Sequence, residues 1–208
     1  MPLKDQVANY ARRIVERAPD EDRLRELARP GRLALLRFSD DGIVPNNPRL
    51  PVLLYRKAVR FLKPYKNATV VDGLFALNGW GRSWRDGVYD FVHYHSQIHE
   101  VLGIATGECR LELGGLKGRT LNLSAGDVVV LPAGTGHRLI DASRNLLVVG
   151  AYPAQGRYDE CTDTRDRVEA VKRIAAVPLP KCDPVFGRQG PLLTHWSSSR
   201  QRGSAKAR

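Results

Sequence analysis

From residue 33 onward the chain is a series of short apolar runs, each stopped by Gly, Pro or Asn, and this punctuation limits the fold more than any other feature. Segments 33–38, 52–55, 70–77, 87–95, 100–106, 109–113, 120–123, 127–131, 136–141 and 146–152 all have strand length. Pro45 and Pro48 keep the intervening loop from becoming helical, because proline offers no amide proton. Residues 78–81 read as a Gly-rich bend. The series predicts an all-β, antiparallel barrel or sandwich. Helix is expected at the two ends. Over residues 4–18, Val7, Tyr10, Ala11, Ile14 and Val15 share one helical face. Asp20 is placed to cap a second short helix, with Leu24, Leu27 and Ala28 inward and a stop at Pro30-Gly31. Residues 163–176 suit a final helix, and the Pro- and Gly-rich stretch 177–196 should wrap the outside. The implied division is a helical N-terminal extension over 1–32, one domain over 33–196, and a basic, disordered tail over 197–208.

Composition narrows the class. A chain of 208 residues with 42% hydrophobic and 26% charged residues suits one well-buried core. It has no apolar stretch of membrane-spanning length and opens without a secretory signal. Cys109, Cys161 and Cys182 are odd in number and form no CxxC pair, so they read as reduced thiols in a cytoplasmic protein. The formal net charge is +11, and residues 188–208 hold five basic and no acidic side chains. Nucleic acid is nevertheless not the expected partner, since only Trp196 near that charge offers a base-stacking surface.

Two segments carry the chemistry. In the first, His93, His95 and Glu100 lie within eight residues; the second runs from Gly126 through Pro132 and Gly134 to His137. Alternation along a strand projects His93 and His95 to one side. A turn over 96–98 then lets Glu100, Leu102 and Ile104 face inward from the next strand. Imidazoles and a carboxylate are ligands that first-row divalent ions accept, so the four residues point to one metal site. Three neutral imidazoles and one carboxylate leave such an ion with a net positive charge, and in an octahedral ion two positions stay open, the mark of a catalytic site. Mn, Fe, Ni, Co and Zn all suit that donor set. His99 should point away from the ion as a surface or inter-strand residue, and His195 is assigned no function. Tyr89 and Phe91 share the parity of His93 and are expected to line the pocket with Leu102 and Ile104. Trp80 and Trp84 read as core or dimer contacts. Asp141 is a candidate to orient a ligand imidazole from behind.

These segments resemble the two motifs of the cupin superfamily. Gly87, His93, His95, Glu100 and Gly107 follow the first motif; Gly126, Pro132, Gly134 and His137 follow the second, with Asp141 where the family has Asn. Further stretches, including Asp41 to Pro48, Trp84, Val148 to Pro153 and Val177 to Pro180, are similar to the YjlB-like group of small bacterial cupins, over residues 33–196. The resemblance implies a double-stranded β-helix, the RmlC-like jelly-roll barrel, with the metal held by those four residues. It also implies a homodimer that covers its sheet edges. The expected function is a metal-dependent enzyme acting on a small oxygen-rich metabolite, as a dioxygenase-like oxidoreductase, a decarboxylase (lyase) or an isomerase. The alternative is a non-catalytic module that binds or senses a small ligand.

Overall fold

The structure, a computed structural model, describes residues 18–204, with side chains as far as residue 197. The helix expected over 4–18 therefore lies outside the described residues. The described residues begin with α1 (Glu21–Leu27), then β1 (Arg32–Leu36), β2 (Val52–Arg56), α2 (Asn67–Leu77) and β3 (Trp80–Asp86). Next come β4 (Glu100–Thr106), β5 (Glu108–Leu113), β6 (Arg119–Ser124), β7 (Val128–Leu131), β8 (His137–Ala142) and β9 (Leu147–Pro153). Helices α3 (Arg167–Ala176) and α4 (Pro191–Ser204) follow. Asp20 caps α1 as its sequence suggests, its carboxylate accepting from the Arg23 amide at 2.8 Å. Among the described residues no helix is long and apolar enough to cross a membrane.

Two antiparallel sheets form the jelly roll, one of six strands in the order β1-β2-β7-β4-β9-β3 and one of three in the order β6-β5-β8. Alternation sorts β4 between two cores. Leu102 and Ile104 pack with Leu111, Leu113, Leu121 and Leu123 of the smaller sheet. Val101 and Ala105, of opposite parity, pack with Leu24, Val71, Phe75 and Trp196 beneath the helices. Burial on both faces explains why β2, β4, β7 and β9 read as nearly unbroken apolar runs.

Two expected strands prove otherwise. Residues 70–77 belong to α2, where Ala68, Val70, Val71, Leu74 and Phe75 are buried and Asp72 turns outward to accept from Arg85 Nε at 2.6 Å. Six apolar side chains within eight residues satisfy either period, and here Gly103 of β4 lets the helix approach: a Cβ there would lie 2.6 Å from Val71 Cγ1. Residues 87–95 are not a strand either. The strand is β3, beginning inside the expected bend, and 87–95 is an extended loop with isolated bridges at His93 and Tyr94 and single backbone hydrogen bonds from Leu139 to Tyr89 and from Gly134 to His95. The C-terminal stretch does more than wrap the outside, for α4 buries Trp196 completely and continues to Ser204, across the boundary expected at 197.

Candidate functional site

The site occupies the end of the barrel where β4, β8 and β9 meet the loop 87–99. His93 and His137 are joined by backbone hydrogen bonds in both directions, 3.2 and 2.9 Å, so the two motif segments form one narrow ladder with ring centroids 4.1 Å apart. Gly134, with φ +91°, turns the chain so that its amide donates to the His95 carbonyl at 2.7 Å; a Cβ at this position would lie 2.8 Å from the Asn46 carbonyl oxygen. That turn secures the backbone behind His95.

Metal-ligating atoms of His93, His95 and His137 lie within 4.8 Å of one another, and all three residues are buried. Each Nδ1 faces a backbone carbonyl: Phe91 for His93 at 3.2 Å, Thr135 for His137 at 3.1 Å, and Asp159 for His95. A carbonyl only accepts, so Nδ1 carries the proton and Nε2 presents a lone pair to the interior. Glu100, 2% exposed, brings Oε2 to 3.4 Å from His95 Nε2 and 3.2 Å from His137 Nε2. Neither contact has hydrogen-bond geometry, and Oε2 is buried with no hydrogen-bond partner. Acceptors facing one another in a dry cavity repel unless a cation lies among them. This donor set fits a divalent transition ion.

Burial disfavours ionised Glu100, but positive charge and protons at His137 and His95 outweigh it and hold the carboxyl well below the usual range, a charge that a cation at their Nε2 atoms would supply in their place. Burial also opposes protonation of His95, whereas Glu100 and the Asp159 carbonyl raise its pKa. His93, penalised by burial and then by His137, is pushed down to about 4.

Around the four residues lies a cavity of about 340 Å³, lined also by Trp84, Asp86, Gly87, Val88, Tyr89, Leu102, Tyr152 and Tyr158. Of the residues expected to line it, Tyr89 and Leu102 do. Phe91 instead stacks on Tyr89 at 4.8 Å and is 42% exposed, while Ile104 is one step deeper in the inter-sheet core. Trp80 is buried and donates to the Cys182 carbonyl, but Trp84 reaches the cavity, donating from Nε1 to Tyr152 Oη at 3.0 Å. It lies over Gly150, where any Cβ would sit 2.0 Å from the indole. Asp141 is exposed on β8 and accepts from its neighbour Ala142; none of the three Nδ1 atoms uses it. That orienting task falls to Asp159, which the sequence did not single out. Its carbonyl faces His95 Nδ1, and its carboxylate accepts from the amides of Ser96 and Gln97 at 2.9 and 3.1 Å. His99 points away from the cavity as strand parity requires, yet it is fully buried beneath Trp196, with centroids 4.6 Å apart.

The profile of the cupin-domain family matches residues 86–149, which hold all four converging side chains. The protein YjlB of Bacillus subtilis (strain 168), described as uncharacterized, is 39% identical over 160 residues, covering 76% of this chain and 93% of its own length. Among solved structures, the chain is similar to the WlaRB TDP-quinovose 3,4-ketoisomerase from Campylobacter jejuni, at 16% identity and TM-score 0.35, over 44% of this chain and 74% of that one. It is also similar to a mutant of the Bacillus subtilis oxalate decarboxylase OxdC, at 19% identity and TM-score 0.34, over 54% of this chain and 27% of that one.

Proposed function

The chain belongs to the cupin superfamily, within its YjlB-like group, and from that premise we propose a metal-dependent enzyme acting on a small, oxygen-rich metabolite. His93, His95, Glu100 and His137 hold one divalent transition ion, drawn from Mn, Fe, Ni, Co and Zn. The observation that carries this reading is the buried Glu100 oxygen, set against two imidazole nitrogens with no hydrogen bond to either. A bound ion supplies Lewis acidity and, for Fe or Mn, a route to dioxygen chemistry. Reaction classes compatible with the donor set are dioxygenase, decarboxylase and isomerase.

The other residues have separable roles. Trp84, Val88 and Leu102 exclude water and lower the local dielectric, which strengthens every polar contact inside. Burial, then the Glu100 charge, drives the Tyr152 hydroxyl far above its ordinary pKa, so it stays protonated. Its oxygen accepts from Trp84 at 3.0 Å, and its proton is directed toward the Glu100 carboxylate. Tyr158, likewise raised by burial and held by Glu160 at 3.1 Å, lines the cavity beside Tyr152, with ring centroids 5.5 Å apart.

The test is metal analysis of purified protein and of His95→Ala, followed by oxygen uptake and product analysis over a metabolite panel. The wild type should retain about one ion per chain and the variant little, with the barrel still folded. Equal metal in both would overturn the ligand assignment. Tight ligand binding without metal-dependent turnover would replace catalysis with sensing. A homodimer completes the proposal, because β1 and β3 are edges of the large sheet and β1 exposes Leu35; sedimentation as a monomer alone would refute it.

A further inference from the structure

The cavity is unusual in what surrounds the four converging residues. Among its described lining residues there is no Lys or Arg. Arg82 lies nearby, 6.0 Å from the Tyr152 ring centroid, but donates to the Pro153 carbonyl at 2.8 Å and does not line the space. Two carboxylates do line it, Glu100 and Asp86. Buried Glu100 halves the charge of a divalent ion, so a dianionic ligand would leave one negative charge uncompensated between apolar walls and the exposed Asp86 carboxylate at the rim.

Those walls are largely aromatic. Trp84, Tyr89, Tyr152 and Tyr158 line the cavity, with Tyr152 and Tyr158 edge-on at 5.5 Å. At the mouth the stacked pair Tyr89 and Phe91 stands 51% and 42% exposed, an apolar surface that a ligand ring would cover. A volume of about 340 Å³ is at the small end for ligand pockets, enough for one ring with short substituents.

We infer that the ligand is a planar single-ring compound with two neighbouring oxygens and at most one negative charge, preferred over small dicarboxylates and phosphates. The inference rests on the metal reading above, the two oxygens being what chelates the ion and the ring being what the aromatic walls hold.

Co(II)-loaded protein under argon, its metal content measured first, is titrated calorimetrically with catechol, oxalate and inorganic phosphate. Catechol should bind about tenfold or more tightly than oxalate, and phosphate more weakly still. Tyr89→Ala, at an exposed position, should weaken catechol about three- to tenfold while leaving oxalate affinity and Co(II) content unchanged. Oxalate or phosphate binding as tightly as catechol to fully loaded protein would overturn the ligand class alone. A Tyr89→Ala loss shared equally by catechol and oxalate would do the same. Failure to take up Co(II) at all would overturn the metal reading and this inference with it.

Discussion

Acid should destabilise this protein through a histidine that is not one of the four converging residues. His99 is fully buried, and its Nδ1 accepts from the Ala133 amide at 2.9 Å, which fixes the neutral tautomer. Burial lowers its pKa from 6.5 to about 3, against a smaller opposing effect of the Pro178 carbonyl. The sign follows from proton counting. Between pH 6.5 and about 3 the unfolded chain binds a proton at this residue that the folded chain refuses, so stability falls as pH falls. At pH 5, roughly 1.5 pH units below the ordinary value, the loss is about 2 kcal/mol. His99→Asn removes the titration while keeping an acceptor near the Nδ1 position. At pH 7.5 the variant should be less stable by about 1–3 kcal/mol, from the smaller side chain beneath Trp196. Urea unfolding in EDTA should show that gap narrowing by about 2 kcal/mol between pH 7.5 and pH 5, since His93 and the carboxylates titrate alike in both proteins. Parallel stability curves over that range would refute the assignment of acid sensitivity to His99.

Asp159→Ala should loosen the loop that presents its carbonyl to His95, weakening metal affinity about 10- to 100-fold with little change in the fold, as competition with a chromogenic chelator would measure. Gly150→Ala places a methyl where the Trp84 indole lies, so it should cost about 1–3 kcal/mol in urea unfolding and shift tryptophan emission; a silent substitution would mean that the indole does not rest there.

Local rules succeeded where the responsible contacts are local. Strand alternation placed Glu100 and Leu102 toward the site and His99 on the other face, because side-chain direction on β4 depends only on parity. The same rule misjudged the surroundings of His99. Parity says which way a side chain points; here a helix from the far end of the chain covers it. Residues 70–77 show the limit of a period read over eight positions, since Val70, Val71, Leu74 and Phe75 sit one helical turn apart as readily as they would fill a buried strand. Phe91 has the parity of Tyr89, but 87–95 is a loop, where alternation no longer dictates direction.

What the sequence determined by itself is the set of four side chains able to ligate a metal and the short-strand grammar that makes a β-barrel their scaffold. Spacing within each motif is covalent, so a few residues of chain suffice to encode it. The tertiary structure decided that His137 pairs with His93, that Asp159 stands behind His95 across 64 residues of chain, and that Trp84 meets Tyr152 across 68. Those pairings arise when two sheets close around a common core, and closure depends on the burial of many side chains at once rather than on any local signal.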